Sequence, residues 1–153
     1  MSVVLTRDGR RELEERARRL DSEVLPALRE QLMGPDRDGR TDAELESALD
    51  ERRRIAYALS SGRVAEELRD DPEVVELGDW VHVISEDGSR ETLRIVDPIE
   101  APLDAARISY ASPLAQILLG RRIGDEVELR TRFTPSYRYK ILDTHRDGAP
   151  TAA

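Results

Sequence analysis

The chain has 153 residues, of which 39% are hydrophobic, 37% charged and only 4% aromatic, a balance that suits small or elongated cores rather than one large globular core. Its formal net charge of −8 has the wrong sign for a duplex DNA binder, which gains affinity by neutralising phosphates. There is no cysteine, so disulfide and thiolate chemistry are excluded; with no signal-peptide pattern and no apolar run near the roughly 20 residues of a membrane span, a cytoplasmic protein is expected.

In chain order, Thr6 is placed to cap a helix in which Leu13, Ala17, Leu20, Val24, Leu28 and Leu32 recur at spacings of three and four, the seam of a coiled coil. Pro26 removes a backbone donor within this pattern, which predicts a kink or stretched turn rather than a stop. Residues 34–42, GPDRDGRTD, break the helix. Thr41 or Asp42 is expected to cap the next one, with Glu44 near its positive end. There Leu45, Ala48, Leu49, Arg52, Ile55, Ala56 and Leu59 repeat the seam, and Gly62 ends it. Two such helices make an antiparallel hairpin on the order of 40 Å long at about 1.5 Å per residue. Residues 63–76 read as a frayed helix end or linker, and a hinge is expected near Gly62 and Pro72.

The period then changes to alternation. Trp80 to Ile84 and Thr92 to Val96 predict two strands, joined at the Asp87-Gly88 turn. Arg107 to Tyr110 is a short extended piece. Ser112-Pro113 starts a helix over Leu114 to Leu119, the serine as cap and the proline in the first turn, closed by Gly120. Glu126 to Phe133 and Tyr137 to Asp143 are the remaining strands. The fold class expected is α+β in two domains: a coiled-coil hairpin over 1–75 with an acidic tip near 34–44, and a β-sheet domain with one short helix over 76–146. A disordered tail is expected over 147–153.

Three stretches together resemble the Gre family of bacterial transcription elongation factors. Residues 108–130, ISYASPLAQILLGRRIGDEVELR, are similar to the family's C-terminal signature of a Ser-Pro-Leu helix, a Leu-Gly turn, two basic residues and a Gly-Asp-Glu-Val strand. Upstream, GDWVHVISEDGSRETLRIVD resembles the first hairpin of that domain, and LTRDGRRELEERARRL the family's helix opening. The resemblance implies an FKBP-like C-terminal domain that docks on the rim of the RNA polymerase secondary channel. It also implies a hairpin that enters the channel and brings its tip to the catalytic magnesium. In cleaving members tip carboxylates help to hold a second magnesium, a hard cation that prefers oxygen ligands.

On that resemblance the tip acids near the polymerase magnesium are Asp36, Asp38, Asp42 and Glu44. Ser112, Pro113 and Leu114 are the polymerase-docking residues, while Arg52 and Arg53 face RNA at the nascent 3′ end. Aligned on Asp42 to Leu45, the family aspartate falls on Asp38 but the family glutamate falls on Thr41, which carries no carboxylate. The expected function is therefore a regulator that modulates or inhibits polymerase catalysis without standard cleavage; the alternative is a genuine cleavage factor that rescues backtracked complexes. Simpler readings stand beside these. Aspartate favours turns for local reasons, Ser112 caps a helix whatever it binds, and the arginine run could pair with Glu12, Glu14 or Glu15 on a solvated face. No nucleophile and base stand together, and no glycine-rich phosphate loop is present, so the chain is expected to act through the polymerase active site rather than as an enzyme. It is expected to hold no cofactor or stable metal of its own: His82 and His145 are far apart and lack metal-ligand spacing. A prolyl isomerase, whose pocket wants more aromatics than this domain has, and a self-associating coiled-coil scaffold are the other classes; a hairpin with a short turn predicts a monomer.

Overall fold

The computed structural model describes residues 3–35, 39–132 and 135–146. The expected tail over 147–153 and Phe133 lie outside them. Two compact units form, one from residues 8–62 and the other from residues 1–7 together with 63–153.

The helical unit opens with α1 (Arg7–Arg19), continues through one π-helical turn (Leu20–Val24) into α2 (Leu25–Met33), and returns along α3 (Gly39–Ser61). The π turn lies just before Pro26, where the proline removes a donor and its ring crowds the carbonyl four residues back. Widening the turn relieves that crowding, and the Leu25 amide donates to the Leu20 carbonyl, five residues back. One extra residue in the turn rotates everything after it. Leu25 is therefore buried, at 4% exposure, while Val24, expected in the seam, is half-buried. Gly9, Leu13, Ala17, Leu20 and Leu28 complete the buried stripe. On α3 the buried residues are Ala48, Ile55 and Ala58, and Ala56, expected in the seam, is exposed.

The expected boundary at 75/76 does not coincide with the units found, because residues 63–76 do not form a linker. Val4–Leu5 (β1) and Arg63–Val64 (β2) pair in parallel, Val4 beside Arg63 and Leu5 beside Val64. A 3-10 turn over Ala65–Glu67 follows, and Ala65 and Val75 are both buried. The five-stranded sheet comprises β3 (Trp80–Ser85), β4 (Arg90–Val96), β5 (Arg107–Ser109), β6 (Glu126–Leu129) and β7 (Tyr137–His145), in the order β5-β4-β3-β7-β6. All neighbours are antiparallel except β4 and β5. A bulge at Leu142 shifts the β3–β7 register between His82 and Val83.

Alternation along β3 sends Val81 and Val83 to one face, where they meet Leu93, Ile95, Val127 and Ile141, with Ala115 and Leu118 of the short helix α4 (Pro113–Leu118). Full burial of each aliphatic side chain contributes about 1.5–3 kcal/mol. The opposite face carries Trp80, His82 and Ile84. Gly78, just before β3, has φ +95, and a Cβ there would lie 2.5 Å from the Ala65 Cβ. Only glycine meets both conditions.

Candidate functional site

Two regions hold the residues singled out above. The first is the helical unit from the end of α2 along α3. Asp36 and Asp38 lie outside the described residues. α3 begins at Gly39, so Thr41 and Asp42 sit inside its first turn instead of capping it. Both are half-buried. In that position the Asp42 charge meets the positive end of the helix. Glu44 accepts a hydrogen bond from Arg40 Nε at 3.1 Å. Met33, at the end of α2, is 90% exposed. α3 spans 23 residues, on the order of 35 Å at about 1.5 Å per residue.

Arg52 and Arg53 of the run on α3 take partners other than Glu12, Glu14 or Glu15. Arg52 makes a two-pronged contact with Asp21, Nε at 2.9 Å and Nη2 at 3.0 Å. Arg16 grips Glu51 likewise, at 3.0 and 2.8 Å. These bonds hold the Asp21 and Glu51 carboxyls below the usual carboxylate range. Arg53 bonds Asp50 one turn back at 2.5 Å. Arg52 is thus committed to crossing between the helices, and Arg53 is the more exposed of the two, at 75% against 32% for the side chains.

The second region is the segment before α4. Ser112 is extended at φ −66, ψ 150, and its side chain accepts from the Ala115 amide at 3.3 Å, the capping role that its type and the following proline predict. The Ser109 hydroxyl accepts from the Ala111 amide at 3.1 Å, and Gln116 Nε2 donates to the Tyr110 carbonyl at 2.6 Å. The segment is therefore tied at both ends. Pro113 is exposed, while Leu114 packs against the core from a half-buried position. The two regions belong to different units.

Sequence reasoning missed a buried polar cluster in the sheet unit. Arg146 is 3% exposed; it donates to Asp79 at 2.9 Å, to the Ala65 carbonyl at 2.6 Å and to Glu76 at 3.2 Å. Arg94, also 3% exposed, donates to the Gly78 carbonyl at 2.9 Å, to Glu66 at 3.2 Å and to the Arg146 carbonyl at 3.3 Å. Glu66 in turn accepts the Arg7 amide at 2.6 Å. Glu100 accepts from the Thr6 amide at 2.8 Å and the Thr6 hydroxyl at 2.5 Å. Burial pushes the Glu100 carboxyl up, against these bonds and the nearby Arg107, which favour its charged form. The Thr6 and Arg7 amides, within the sheet unit, are thus met by two carboxylates distant in sequence. One clue was present: Arg94 stands between Leu93 and Ile95, an apolar setting for a charge.

The two histidines, far apart in sequence, are neighbours in the fold: His82 Nε2 lies 2.9 Å from His145 Nε2. Among the described residues no group of three or more His, Cys, Asp or Glu could hold a metal ion. No helix of the described residues is long and apolar enough to cross a membrane.

Residues 70–146 match the family model described as "Transcription elongation factor, GreA/GreB, C-term", a stretch that includes the α4 segment and all five strands of the larger sheet. The chain belongs to the GreA/GreB family of transcription elongation factors. Transcription elongation factor GreA of Thermotoga maritima is 33% identical over 155 aligned positions, covering 92% of this chain and 95% of the relative. GreA of Geobacillus kaustophilus reaches 46% identity over 69 positions, 44% of each chain. Among solved structures, GreA factor homolog 1 (Gfh1) of Thermus thermophilus is 30% identical, with 95% of this chain and 99% of that chain covered and a TM-score of 0.42. As a GreA/GreB member the chain is a transcription elongation factor, which implies interaction with RNA polymerase.

Proposed function

We propose that this elongation factor docks on the rim of the secondary channel of bacterial RNA polymerase through an FKBP-like sheet domain. On this reading it inserts its helical hairpin, read as a coiled coil, and modulates or inhibits catalysis without standard transcript cleavage. Ser112, Pro113 and Leu114 carry the docking contact; the capped, tied segment before α4 supports that role by presenting Pro113 on an ordered turn. Asp36, Asp38, Asp42 and Glu44 act near the polymerase magnesium, while Arg53 and Arg52 face the nascent RNA 3′ end. The chain works in the cytoplasm as a monomer, holds no metal of its own and catalyses nothing alone.

The observation that carries the choice against cleavage is Thr41. It occupies the first turn of α3, in the register where cleaving members have a glutamate, and a hydroxyl is a poor substitute for a carboxylate at a hard cation. The test adds the full chain to backtracked elongation complexes with magnesium and follows the RNA 3′ end. No shortening is expected, and nucleotide addition should slow in a way that Asp38→Ala or Asp42→Ala relieves. Shortened RNA that depends on Asp38 would establish the cleavage reading instead. Failure to bind polymerase at all would remove both.

A further inference from the structure

The face of the sheet turned away from the apolar core holds an arrangement that elongation-factor activity does not call for. His82 on β3 is 6% exposed, and its Nε2 lies 2.9 Å from His145 Nε2 near the end of β7. The ring planes are inclined by only 19° and the centroids are 5.1 Å apart. That exceeds the nitrogen separation by 2.2 Å (5.1 − 2.9), the span of the two ring radii, so the rings meet nitrogen to nitrogen. A neutral imidazole has one N–H and one acceptor nitrogen, and such a contact holds one proton at the junction. At its other end His82 Nδ1 lies 2.9 Å from the Thr92 hydroxyl, which can donate or accept and so suits either tautomer.

We propose that the His82–His145 pair is a proton-operated clasp on the end of β7, closed while one proton lies between the rings and opened when both rings are charged. The pair can gain one positive charge and keep its N–H···N bond. A second charge sets two N–H groups head to head, and the contact cannot survive. His82 is confined between β4 and β7, so the half-exposed His145 is the ring that leaves.

The next residue gives the opening a consequence. Arg146 holds Asp79, Glu76 and the Ala65 carbonyl, and Arg94 holds the Arg146 carbonyl. Release of His145 therefore loosens the chain end that fastens the turn after β2. On the same face β4 presents Arg90, Thr92 and Arg94, and β7 presents Lys140 and Asp143. Burial, then the His145 charge, holds His82 below the usual histidine range, and Asp143 opposes them. Since the folded state resists a proton that the unfolded chain accepts near pH 6.5, stability is full above about that value and falls as pH drops toward the lowered one.

The test is a pH titration of the full chain by NMR, from about pH 7.5 to about pH 5, following the imidazole nitrogens and the amide exchange protection of Thr144, His145 and Arg146. Two coupled steps are expected that belong to the pair, with protection falling about ten-fold or more through the lower step. His145→Gln should remove the pH dependence of that protection. Asp143→Asn should shift the lower step to more acid pH. Two independent titrations with a common midpoint, or protection that is flat in the wild type, would overturn the clasp. So would an identical loss of protection in His145→Gln. The imidazole titration needs no variant, so a variant that folds poorly leaves the test decisive.

Discussion

At the scale of single residues, the sheet unit depends on positions whose neighbours are remote in sequence. Gly78 is the sharpest case, since it combines a positive φ with Ala65 in the space a side chain would fill. Gly78→Ala should therefore cost about 2–5 kcal/mol, combining a strained backbone with overpacking. Gly88 and Gly120 also have positive φ but nothing within 4 Å of where a Cβ would stand, so alanine there should cost only about 1–2 kcal/mol. Urea unfolding of the three variants checks this, and equal losses would mean that the close approach to Ala65 is unimportant. None of it was visible beforehand. Gly78 looks like any glycine before a strand, and its constraint comes from a residue 13 positions earlier (78 − 65). The same holds for Arg146, Asp79 and Glu100, and only the apolar setting of Arg94 between Leu93 and Ile95 gave a hint. A charged side chain is expected in solvent unless paired, and no local pattern announces a partner dozens of residues away.

At the scale of elements, periodicity located both long helices, the β3–β4 hairpin, α4 and the last strand to within a few residues. The local chemistry explains why: apolar spacing, Asp87-Gly88 and Ser112-Pro113 each act over a handful of positions. Short pieces were missed for the opposite reason. β1 and β2 have two residues each, too few to show alternation, and they exist only because they pair with each other. The seam of the first helix departs from expectation at Val24, because a stretched turn was expected at Pro26 but its extra residue was not counted; Leu28 is buried as expected. Two alanine substitutions distinguish the buried position from its neighbour. Leu25→Ala should destabilise the chain by about 2–5 kcal/mol, as for a buried leucine, while Val24→Ala should cost less than about 1 kcal/mol. If the losses are reversed in thermal unfolding, the π turn does not form. At the candidate tip, sequence supplied the acids and their order. It could not supply the helix start at Gly39, which places Asp42 within the first turn.

At the scale of the whole molecule, the 55 residues from Asp8 to Gly62 form an insertion between two strands that pair with each other. Replacing residues 8–62 by a flexible glycine-serine link of about six residues, which spans on the order of 13 Å, should leave a folded sheet unit. A chain that instead begins at Glu76 loses β1, β2, Ala65 and Val75, the last two at 1% exposure, and should melt at a clearly lower temperature. Equal melting temperatures would show that β1, β2 and residues 65–75 do not belong to the sheet unit. The same arrangement governs the order of assembly. Val4 and Arg63 are 59 positions apart (63 − 4), and closing so long a loop in an unstructured chain carries an entropic cost before any contact repays it. The link from α2 to α3 closes a far shorter one. The helical pair should therefore form early and hold the distant strands within reach of each other, so that a lesion in the hairpin slows the folding of a sheet it is not part of.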